Sequence, residues 1–369
     1  MPNDTRSVHV VGMYKSGTSW LLHCLAAHPE IIAWREFDPI SASYQRVPRQ
    51  VPVLRAASAV RHLLGGRTDL AYGPIDHVPR SLEGTFHAFF MGQGWVPLYG
   101  SALQHEAARL PSQDIPQLVD ALFRMMKSEP VPNDTDLRRP GDYSNTLGVI
   151  NFSRNNLIEL MQTIRACKQS TEAPRAFYEF VERLCAPGSV VAFKAADQIM
   201  SLPQLRHAAP RSHTIAIVRD GRDAAVSARN YEQLMRQEEA PWRVGKSHTI
   251  AKAMISWASR ASKAISYRHD DRFMMLRYED LHSNFNQVFG EICQFVGVSN
   301  DAQLIAAVKE ETDFHRVSGG RKQGEAAESR FRKGVVGDWQ QALNKNEQRV
   351  AWWLARKQLR ALGYSRDGT

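Results

Sequence analysis

The chain has 369 residues and a mass of 41.7 kDa, enough for two average domains or for one large α/β domain with long insertions. Its 43% hydrophobic and 23% charged residues are ordinary for a globular protein and exclude a mainly disordered one. The formal net charge of +9 suits a polyanionic partner or a basic cleft for an anionic ligand. Because no basic run or RNA-binding aromatic signature is present, the sequence favours the cleft and predicts no nucleic-acid partner.

Cysteine usage and hydropathy favour a protein of the reduced cytoplasm. The four cysteines are widely spaced and none belongs to a C-x-x-C pair, which favours free thiols over a structural metal site. No apolar run approaches the roughly 20 residues that a membrane helix needs, and the N-terminal MPNDTRSVHVVG has no signal-peptide character. We therefore expect no membrane span and a cytoplasmic location.

The first predicted unit is a strand, a loop and a helix. The β-branched stretch SVHVVGM predicts a buried parallel strand, and the following SGTSWLLHCLAAH has helical spacing at Trp20, Leu21, Cys24 and Leu25. Residues 37–150 are less regular, with many Pro, Gly and aromatic residues. This stretch predicts few regular elements.

Regular patterns return in the second half of the chain. APRAFYEFVERLCA predicts a helix, GSVVAFK a strand, SLPQLRHAAP a short helix and SHTIAIVRD a buried strand. A helix is expected from about Asp223 to Met235, then a strand and polar turn in DRFMMLRYEDL, and an amphipathic helix in NFNQVFGEICQFVGV. Strands that alternate with helices imply a parallel sheet covered on both faces, so the predicted fold class is α/β.

The loop in VVGMYKSGTSW resembles a phosphate-binding loop with a displaced lysine. An NTPase loop reads G-x-x-x-x-G-K-[ST], with its lysine on the β- and γ-phosphates and its hydroxyl on magnesium. Gly12 and Gly17 keep that spacing, but Thr18 stands at the lysine position and Lys15 lies inside the loop. The amides of residues 16–19 and the helix N-terminus can still hold an anion. We expect a ligand with a 5′-phosphate and one further anionic group, bound without magnesium.

Three motifs resemble those of the sulfotransferases that use 3′-phosphoadenosine-5′-phosphosulfate (PAPS). YKSGTSW is similar to that family's 5′-phosphosulfate loop, IVRDGRDAAVSARNY to its 3′-phosphate motif, and RFRKGVVGDWQQAL to its C-terminal R-K-G-x-x-G-D-W motif. A doubly charged 3′-phosphate favours a bidentate arginine, a hydroxyl donor and a glycine that lets backbone amides approach. The resemblance implies these nucleotide-binding residues: Lys15, Ser16, Gly17, Thr18, Ser19, Trp20, Arg219, Ser227, Tyr278, Arg332, Lys333 and Gly334.

Single residues of this set have other interpretations. Arg219 alone would also suit a surface salt bridge with Asp220 or Asp223, and the basic residues of the C-terminal motif a solvated turn. By the resemblance, Trp20 stacks on adenine and Tyr278 makes a second adenine-side contact; core packing is the alternative for both. The remaining tryptophans of the C-terminal region are predicted to be core or helix-packing residues: Trp339, Trp352 and Trp353.

Sulfuryl transfer to a hydroxyl needs an in-line nucleophile, removal of its proton and positive charge on the leaving phosphate oxygen. Lys15 is expected to supply that charge. Many small-molecule sulfotransferases carry a K-T-H-L-P segment whose histidine is the base, but the corresponding segment here is FKAADQIMSLP. The histidine is absent, whereas Lys194 matches the lysine of the segment and is expected to face the sulfuryl group.

A second branch, which includes the tyrosylprotein sulfotransferases, follows its loop with A-H-P-x-x and then a glutamate base. The similar stretch AAHPEIIAWREFDPI places Glu36 at 36 − 15 = 21 positions after Lys15. The predicted catalytic residues are therefore Lys15, Glu36 and Lys194, and Asp197 is the alternative base. Pairing with a nearby cation is the other interpretation of Glu36. His28 is expected to be a helix-end or packing residue.

The motifs span residues 12–339 and should converge on one nucleotide, so the resemblance implies a single domain over residues 1–369. The implied fold is the P-loop, nucleotide-kinase-like α/β fold, with a central parallel sheet and helices on both faces. An insertion at about residues 37–185 would shape the acceptor site. Its aromatic residues suit either an acceptor pocket or a local core: Phe86, Phe89, Phe90, Trp95 and Tyr99.

The resemblance implies transfer of a sulfuryl group from PAPS, the co-substrate, to a small-molecule or carrier-bound hydroxyl. The products would be a sulfate ester and adenosine 3′,5′-bisphosphate (PAP), and no metal is expected. Two alternatives remain open at this point: a small-molecule kinase that uses ATP and magnesium, which Thr18 at the lysine position disfavours, and a nucleotide-binding protein without catalysis.

Overall fold

The computed structural model describes residues 7–35, 38–48, 75–90, 114–120, 154–237, 249–318, 320, 322 and 335–368. The strands of these ranges are β1 (Ser7–Gly12), β2 (Ile31–Arg35), β3 (Tyr44–Pro48), β4 (Ile75–Pro79), β5 (Val190–Lys194), β6 (His213–Val218) and β7 (Phe273–Arg277). The helices are α1 (Thr18–Ala26), α2 (Pro39–Ser43), α3 (Leu82–Phe90), α4 (Arg154–Arg165), α5 (Ala173–Leu184), α6 (Leu202–Ala208), α7 (Gly221–Gln237), α8 (Ile250–Ser266), α9 (Tyr278–Ser283), α10 (Phe285–Val296), α11 (Ala302–Glu311), α12 (Phe314–Val317), α13 (Trp339–Ala342) and α14 (Lys345–Ala361). Short 3₁₀ turns occupy Ser170–Glu172 and Ala196–Ser201.

The central sheet has five strands in the order β2-β5-β1-β6-β7, and every described pair in it is parallel. The prediction of an α/β fold with a parallel sheet is confirmed. Strand β1 lies between β5 and β6, both of which come much later in the chain. The chain connections of the strands beside β1 therefore run to opposite sides of the sheet. The loop after β1 lies at this switch point, which is the usual ligand position in such sheets.

Alternate residues of β1 enter two different cores. Val8 and Val10 pack with Leu22 of α1 and Phe289 of α10 on one face of the sheet. Val11 enters the second core, which α4 to α8 and α14 build on the other face. Because successive strand side chains point to opposite faces, a strand covered on both faces is mostly apolar and buried along its length, as β1, β5 and β6 are.

The described part of the predicted irregular region has more regular structure than expected. Strands β3 and β4 pair antiparallel, and the helices α2 and α3 flank them in the chain. Phe86 and Phe89 of α3 are buried in the second core, the one that Val11 enters, so these two residues pack in a core as the second interpretation predicted. Trp95, Tyr99 and the side chain of Phe90 lie outside the described residues.

Several elements of the described ranges were not predicted from the sequence. Strand β2 is a short run between two polar stretches, and it becomes a strand because β5 pairs with it. The helices α8 and α14 pack against each other and were not predicted. Trp339 is buried and Trp352 packs against the core, as predicted. The prediction for Trp353 was wrong: the residue is 70% exposed, because the buried face of α14 is formed by Ala351, Ala355 and Leu359.

The cysteines are free, and Cys24 and Cys293 are buried. Among the described helices, none is both long enough and apolar enough to cross a membrane.

Candidate functional site

The loop after β1 is held in a tight, specific shape. Lys15 has a left-handed backbone with φ 64°, and within the described ranges no other non-glycine residue has a positive φ. Gly17, the N-terminal cap of α1, has φ 99°. Both the amide and the hydroxyl of Ser16 donate to the Met13 carbonyl, at 3.1 and 2.7 Å. No side chain caps α1, so the first amides of this helix are directed to the mouth of the loop.

The glycines of the loop are required by close contacts. A Cβ on Gly17 would lie 2.5 Å from Cδ2 of Tyr278, and a Cβ on Gly12 would lie 2.6 Å from the Ile217 carbonyl. Gly17 also has the left-handed backbone that other residues rarely adopt. The loop therefore packs directly against the ends of β6 and β7, and these contacts leave no space for a side chain.

Arg219, Tyr278, Gly17 and Trp20 meet at one aromatic ring. The Arg219 guanidinium carbon lies 4.6 Å from the centroid of the Tyr278 ring, and the Trp20 ring meets Tyr278 at 5.5 Å with an interplanar angle of 66°. Tyr278 is buried, whereas Trp20 is half-buried and donates from Nε1 to the Thr312 carbonyl. The structure thus brings together the predicted 5′-loop, the predicted 3′-phosphate arginine and both predicted adenine contacts.

Arg219 is not a surface residue. Its side chain is 11% exposed, its Nη2 donates to the Val335 carbonyl at 2.6 Å and lies 3.5 Å from Oδ2 of Asp223, and its Nε is buried without an acceptor in the described part of the chain. The pairing with Asp223 does occur, but in a buried setting. Ser227 lies about one helical turn after Asp223 on α7, is half-buried and makes no side-chain hydrogen bond to the part of the chain that the structure describes.

Asp223 fastens the end of the C-terminal motif to α7. Its two carboxylate oxygens accept from the amides of Gly337 and Trp339 at 2.8 and 2.9 Å. Burial raises the pKa of Asp223, while Arg219 and the two amides act in the opposite direction. Arg332, Lys333 and Gly334 lie outside the described residues, but Val335 and the residues after it join the chain to Arg219 and Asp223.

A second buried ion pair supports the same segment. Arg222 is almost completely buried, pairs with Asp220 at 2.6 Å and donates to the carbonyls of Ser365 and Arg366. Its guanidinium lies 3.6 Å from the Trp339 ring centroid. The start of α7 is therefore fixed to the C-terminal end of the chain by charge-assisted hydrogen bonds.

Lys15 approaches aromatic rings. Its Nζ lies 3.7 Å from the ring centroid of Tyr231 on α7 and 5.6 Å from that of Tyr14. Tyr231 and Asp223 were not predicted as members of the candidate site. Their spacing from Ser227 was a usable signal, because residues four apart share one face of a helix.

The residues predicted for proton transfer are only partly described. Lys194 ends β5, is 4% exposed and pairs in register with Val10 of β1 and Arg35 of β2. Glu36, which follows Arg35 in the sequence, lies outside the described residues. The alternative base, Asp197, is half exposed and is held by Arg260, whose Nη2 lies 2.7 Å from Oδ1.

His28 is a structural histidine, as predicted. It is buried, accepts from the Glu30 amide at Nδ1 and donates from Nε2 to the Ser299 carbonyl. In the ranges that the structure describes, no group of three or more His, Cys, Asp or Glu side chains could hold a metal ion.

A groove open to solvent runs beside the loop, between α7 and α8. It has about 290 Å³ of space including its open mouth, and it is lined by Tyr14, by Ala224 and Ala228 of α7, and by Trp257 and Arg260 of α8, among others. The small residues of α7 keep this side of the loop accessible.

A glycine turn that leads directly from the central parallel strand into a helix places the protein in the P-loop class of nucleotide-binding α/β proteins. A family model described as "Sulfotransferase domain" matches residues 155–361, more than half of the chain. The chain belongs to the sulfotransferase family. The matched range includes Arg219, Ser227 and Tyr278 and begins after the loop, so the loop is assigned from its own motif and geometry.

Mouse sulfotransferase 6B1 is 30% identical over 101 residues, which span 26% of this chain and 33% of the mouse protein. The match thus covers about a third of that relative's length. The sulfotransferase domain from the curacin biosynthetic pathway has a TM-score of 0.47 and 14% identity, over 95% of this chain and 97% of that one. Mouse sulfotransferase SULT7A1, complexed with PAP, has a TM-score of 0.37 and 19% identity, over 50% of this chain and 70% of that one.

Proposed function

We propose that the chain transfers a sulfuryl group from PAPS to an acceptor hydroxyl, giving a sulfate ester and PAP. The family membership supports this reaction class. The observation that carries the choice of nucleotide is the Tyr278 ring, which lies against Gly17, Trp20 and Arg219. One residue thus joins the site expected for the 5′-phosphosulfate to the site expected for the 3′-phosphate.

The described residues fit an anionic ligand. The uncapped first turn of α1 supplies backbone donors, and Gly17 has the left-handed backbone of the turn that leads into this helix. Arg219 keeps a buried Nε without an acceptor in the described ranges, although its Nη2 is bonded. An anion with several oxygens would complete these contacts.

In the proposed reaction, the acceptor oxygen forms a bond to sulfur while the bond from sulfur to the 5′-phosphate oxygen breaks. The acceptor proton passes to Glu36, and the negative charge that develops on the departing phosphate is stabilised by Lys15. Ser19 and Thr18 add hydrogen-bond donors at the loop, and Lys194 is proposed to face the sulfuryl group. The acceptor is a small-molecule or carrier-bound hydroxyl.

A ligand comparison tests the nucleotide before any acceptor is known. The melting temperature should rise clearly with PAP and much less with AMP or with ATP and magnesium, because only a ligand that prefers the native state stabilises it. Equal stabilisation by AMP and PAP would contradict a 3′-phosphate site at Arg219. Labelled PAPS should then transfer its sulfuryl group to members of a panel of hydroxyl acceptors. Tight PAP binding without transfer to any acceptor class would favour a non-catalytic nucleotide-binding protein.

A further inference from the structure

The first inference concerns Tyr231 and rests on the proposed function. Lys15 combines a left-handed backbone with an ammonium that lies 3.7 Å from the Tyr231 ring centroid. The Tyr14 ring meets the Tyr231 ring edge to face at 6.1 Å, so the two rings form one aromatic surface beside the ammonium. Strained backbone persists where surrounding contacts determine it, and it is frequent at functional sites.

The position of Tyr231 links this surface to the nucleotide site. Helix α7 begins directly after Arg219 and Asp220, and Ser227 and Tyr231 lie four residues apart on it. One rigid helix thus carries the expected 3′-phosphate contacts and the ring beneath Lys15.

We propose that Tyr231 is a positioning residue that holds the Lys15 side chain at the mouth of the loop. A ring face attracts an ammonium through its quadrupole and does not neutralise the charge as a carboxylate does. The positive charge therefore remains available to the leaving phosphate, while the contact restricts a flexible side chain. The face of the ring performs this role, and the hydroxyl is not needed.

Two substitutions of Tyr231 distinguish the contribution of its ring from that of its hydroxyl. We expect Tyr231→Leu to lower kcat roughly 5- to 30-fold with KM for PAPS nearly unchanged, and Tyr231→Phe to retain activity, since phenylalanine keeps the ring face. The matched control is Tyr267→Leu, which removes a ring 5.6 Å from Lys263 in another part of the fold. NMR of the Lys15 side chain provides a readout without turnover: ring-current shifts should persist in Tyr231→Phe and disappear in Tyr231→Leu.

The outcomes distinguish this inference from the proposed function. Unchanged kcat in Tyr231→Leu, together with a large loss in Lys15→Ala, would overturn the role of Tyr231 and leave the function intact. If Tyr231→Leu loses the ring-current shifts but keeps its kcat, the role of Tyr231 is likewise overturned and the proposed function is unaffected. Wild-type protein that binds no PAP would contradict the proposed function itself.

A second, independent inference concerns the exposed face of α14. Trp353 is 70% exposed and Val350 is 44% exposed. At about 100° per residue, five exposed cations lie within about 80° of Trp353 on the helical wheel. They are Lys345, Arg349, Arg356, Lys357 and Arg360. Glu347, the single acidic residue of the helix, lies to the side and pairs with Arg229.

The opposite face fixes α14 firmly. Ala351, Ala355 and Leu359 are buried in the core, and the helix packs against α8. The basic face is therefore presented on a rigid support about 25 Å long, from the rise of an α-helix.

We infer that this face binds anionic phospholipid headgroups. Its charge requires a negatively charged partner, and an indole between long basic side chains suits the boundary between water and lipid, where cations reach phosphates and the ring enters the interface. The face is rich in lysine and arginine around one exposed aromatic residue. Protein interfaces, by contrast, are depleted of lysine at their cores.

Vesicle co-sedimentation of the full chain tests this inference. The protein should bind vesicles of phosphatidylglycerol and phosphatidylcholine, but not pure phosphatidylcholine, and salt should weaken the binding because exposed charges are screened. Combined substitution of Arg349, Arg356 and Lys357 by Gln should abolish binding. The control with the same change of charge combines Lys168→Gln, Arg175→Gln and Arg183→Gln. Trp353→Ser should reduce binding about 10-fold while all cations remain.

Two results would overturn the lipid inference. The first is equal vesicle binding by the α14 variant and the charge control. The second is binding to an immobilised acidic peptide but not to anionic vesicles, which would assign the face to an acidic protein. PAP-induced stabilisation of each variant verifies that the fold is retained.

Discussion

The two halves of the carboxyl edge of the sheet are built differently. At β1, β6 and β7, the loop glycine, a buried tyrosine and the nearly buried Arg219 are in direct contact, and Asp223 is completely enclosed. At β2 and β5, the edge ends in Lys194 and a 3₁₀ turn that carries the half-exposed Asp197. The comparison indicates that the half proposed to bind the nucleotide is preorganised by packing, whereas the half proposed to transfer the proton combines the buried Lys194 with the half-exposed Asp197.

This contrast has a physical basis. A nucleotide of constant shape can be recognised by rigid, buried contacts, because a preformed site has less ordering to do on binding. A proton acceptor must reach a hydroxyl that enters from outside, so burial by rigid contacts suits it less well than it suits a nucleotide site. Buried charges in the nucleotide half are therefore paired, as Asp220 and Arg222 are.

The largest expected effect tests the proposed general base, Glu36. Glu36→Gln keeps the side-chain shape and removes basicity, so turnover should fall roughly 10²- to 10⁴-fold while PAP affinity stays nearly unchanged. Turnover is measured with saturating PAPS under conditions in which the chemical step limits the rate. The matched control is Asp197→Asn. If Asp197→Asn abolishes turnover and Glu36→Gln does not, the base is Asp197 and the assignment of Glu36 is wrong.

A second pair of variants separates the two ends of the nucleotide. Lys15→Ala should lower kcat about 10²-fold or more, since Lys15 is proposed to face the bond that breaks. Arg219→Ala should instead weaken PAP binding roughly 10- to 100-fold, because it removes charge-assisted hydrogen bonds to a remote phosphate. Calorimetry with PAP and initial rates with PAPS provide the two measurements, and Lys168→Ala and Arg175→Ala are exposed controls. Wild-type turnover in Lys15→Ala would remove the displaced lysine from the mechanism.

The smallest effect concerns His9, which lies on β1 beneath both halves. It is completely buried, stacked on Phe193 at 5.2 Å and edge-on to Tyr178 at 4.9 Å. Burial lowers the pKa of His9 to about 3, well below its ordinary value. Between about pH 6.5 and 3 the unfolded chain binds a proton that the folded chain does not, so this contribution to stability is lost as the pH falls.

Urea unfolding of wild type and His9→Leu from pH 7 to about pH 4 measures this effect. The difference in their free energies of unfolding should change by up to about 1.4 kcal/mol per pH unit below about pH 6.5, with wild type losing more stability. Other titrating groups, such as Asp223 and Glu279, contribute to both proteins and cancel in the difference. A difference that does not depend on pH would show that His9 can accept a proton in the folded state.

Much of this architecture was predictable from the sequence. Mostly apolar runs predicted β1, β5, β6 and β7, because strands that are covered on both faces bury most of their side chains. The loop motif is local, so the close spacing of Gly12, Lys15 and Gly17 already indicated an anion site. The order of the motifs also indicated that Arg219 belongs to the same ligand as the loop.

Other features depended on contacts between distant parts of the chain. The run at β2 is too short to predict alone, and pairing with β5 makes it a strand. Local spacing places Tyr231 on the same helix face as Ser227, but its contact with Lys15 depends on tertiary packing. The exposure of Trp353 likewise depends on which face of α14 the core covers. The sequence by itself determined the ligand-binding motifs and the α/β class, whereas the tertiary structure decided which side chains meet, since the core sets the orientation of every helix.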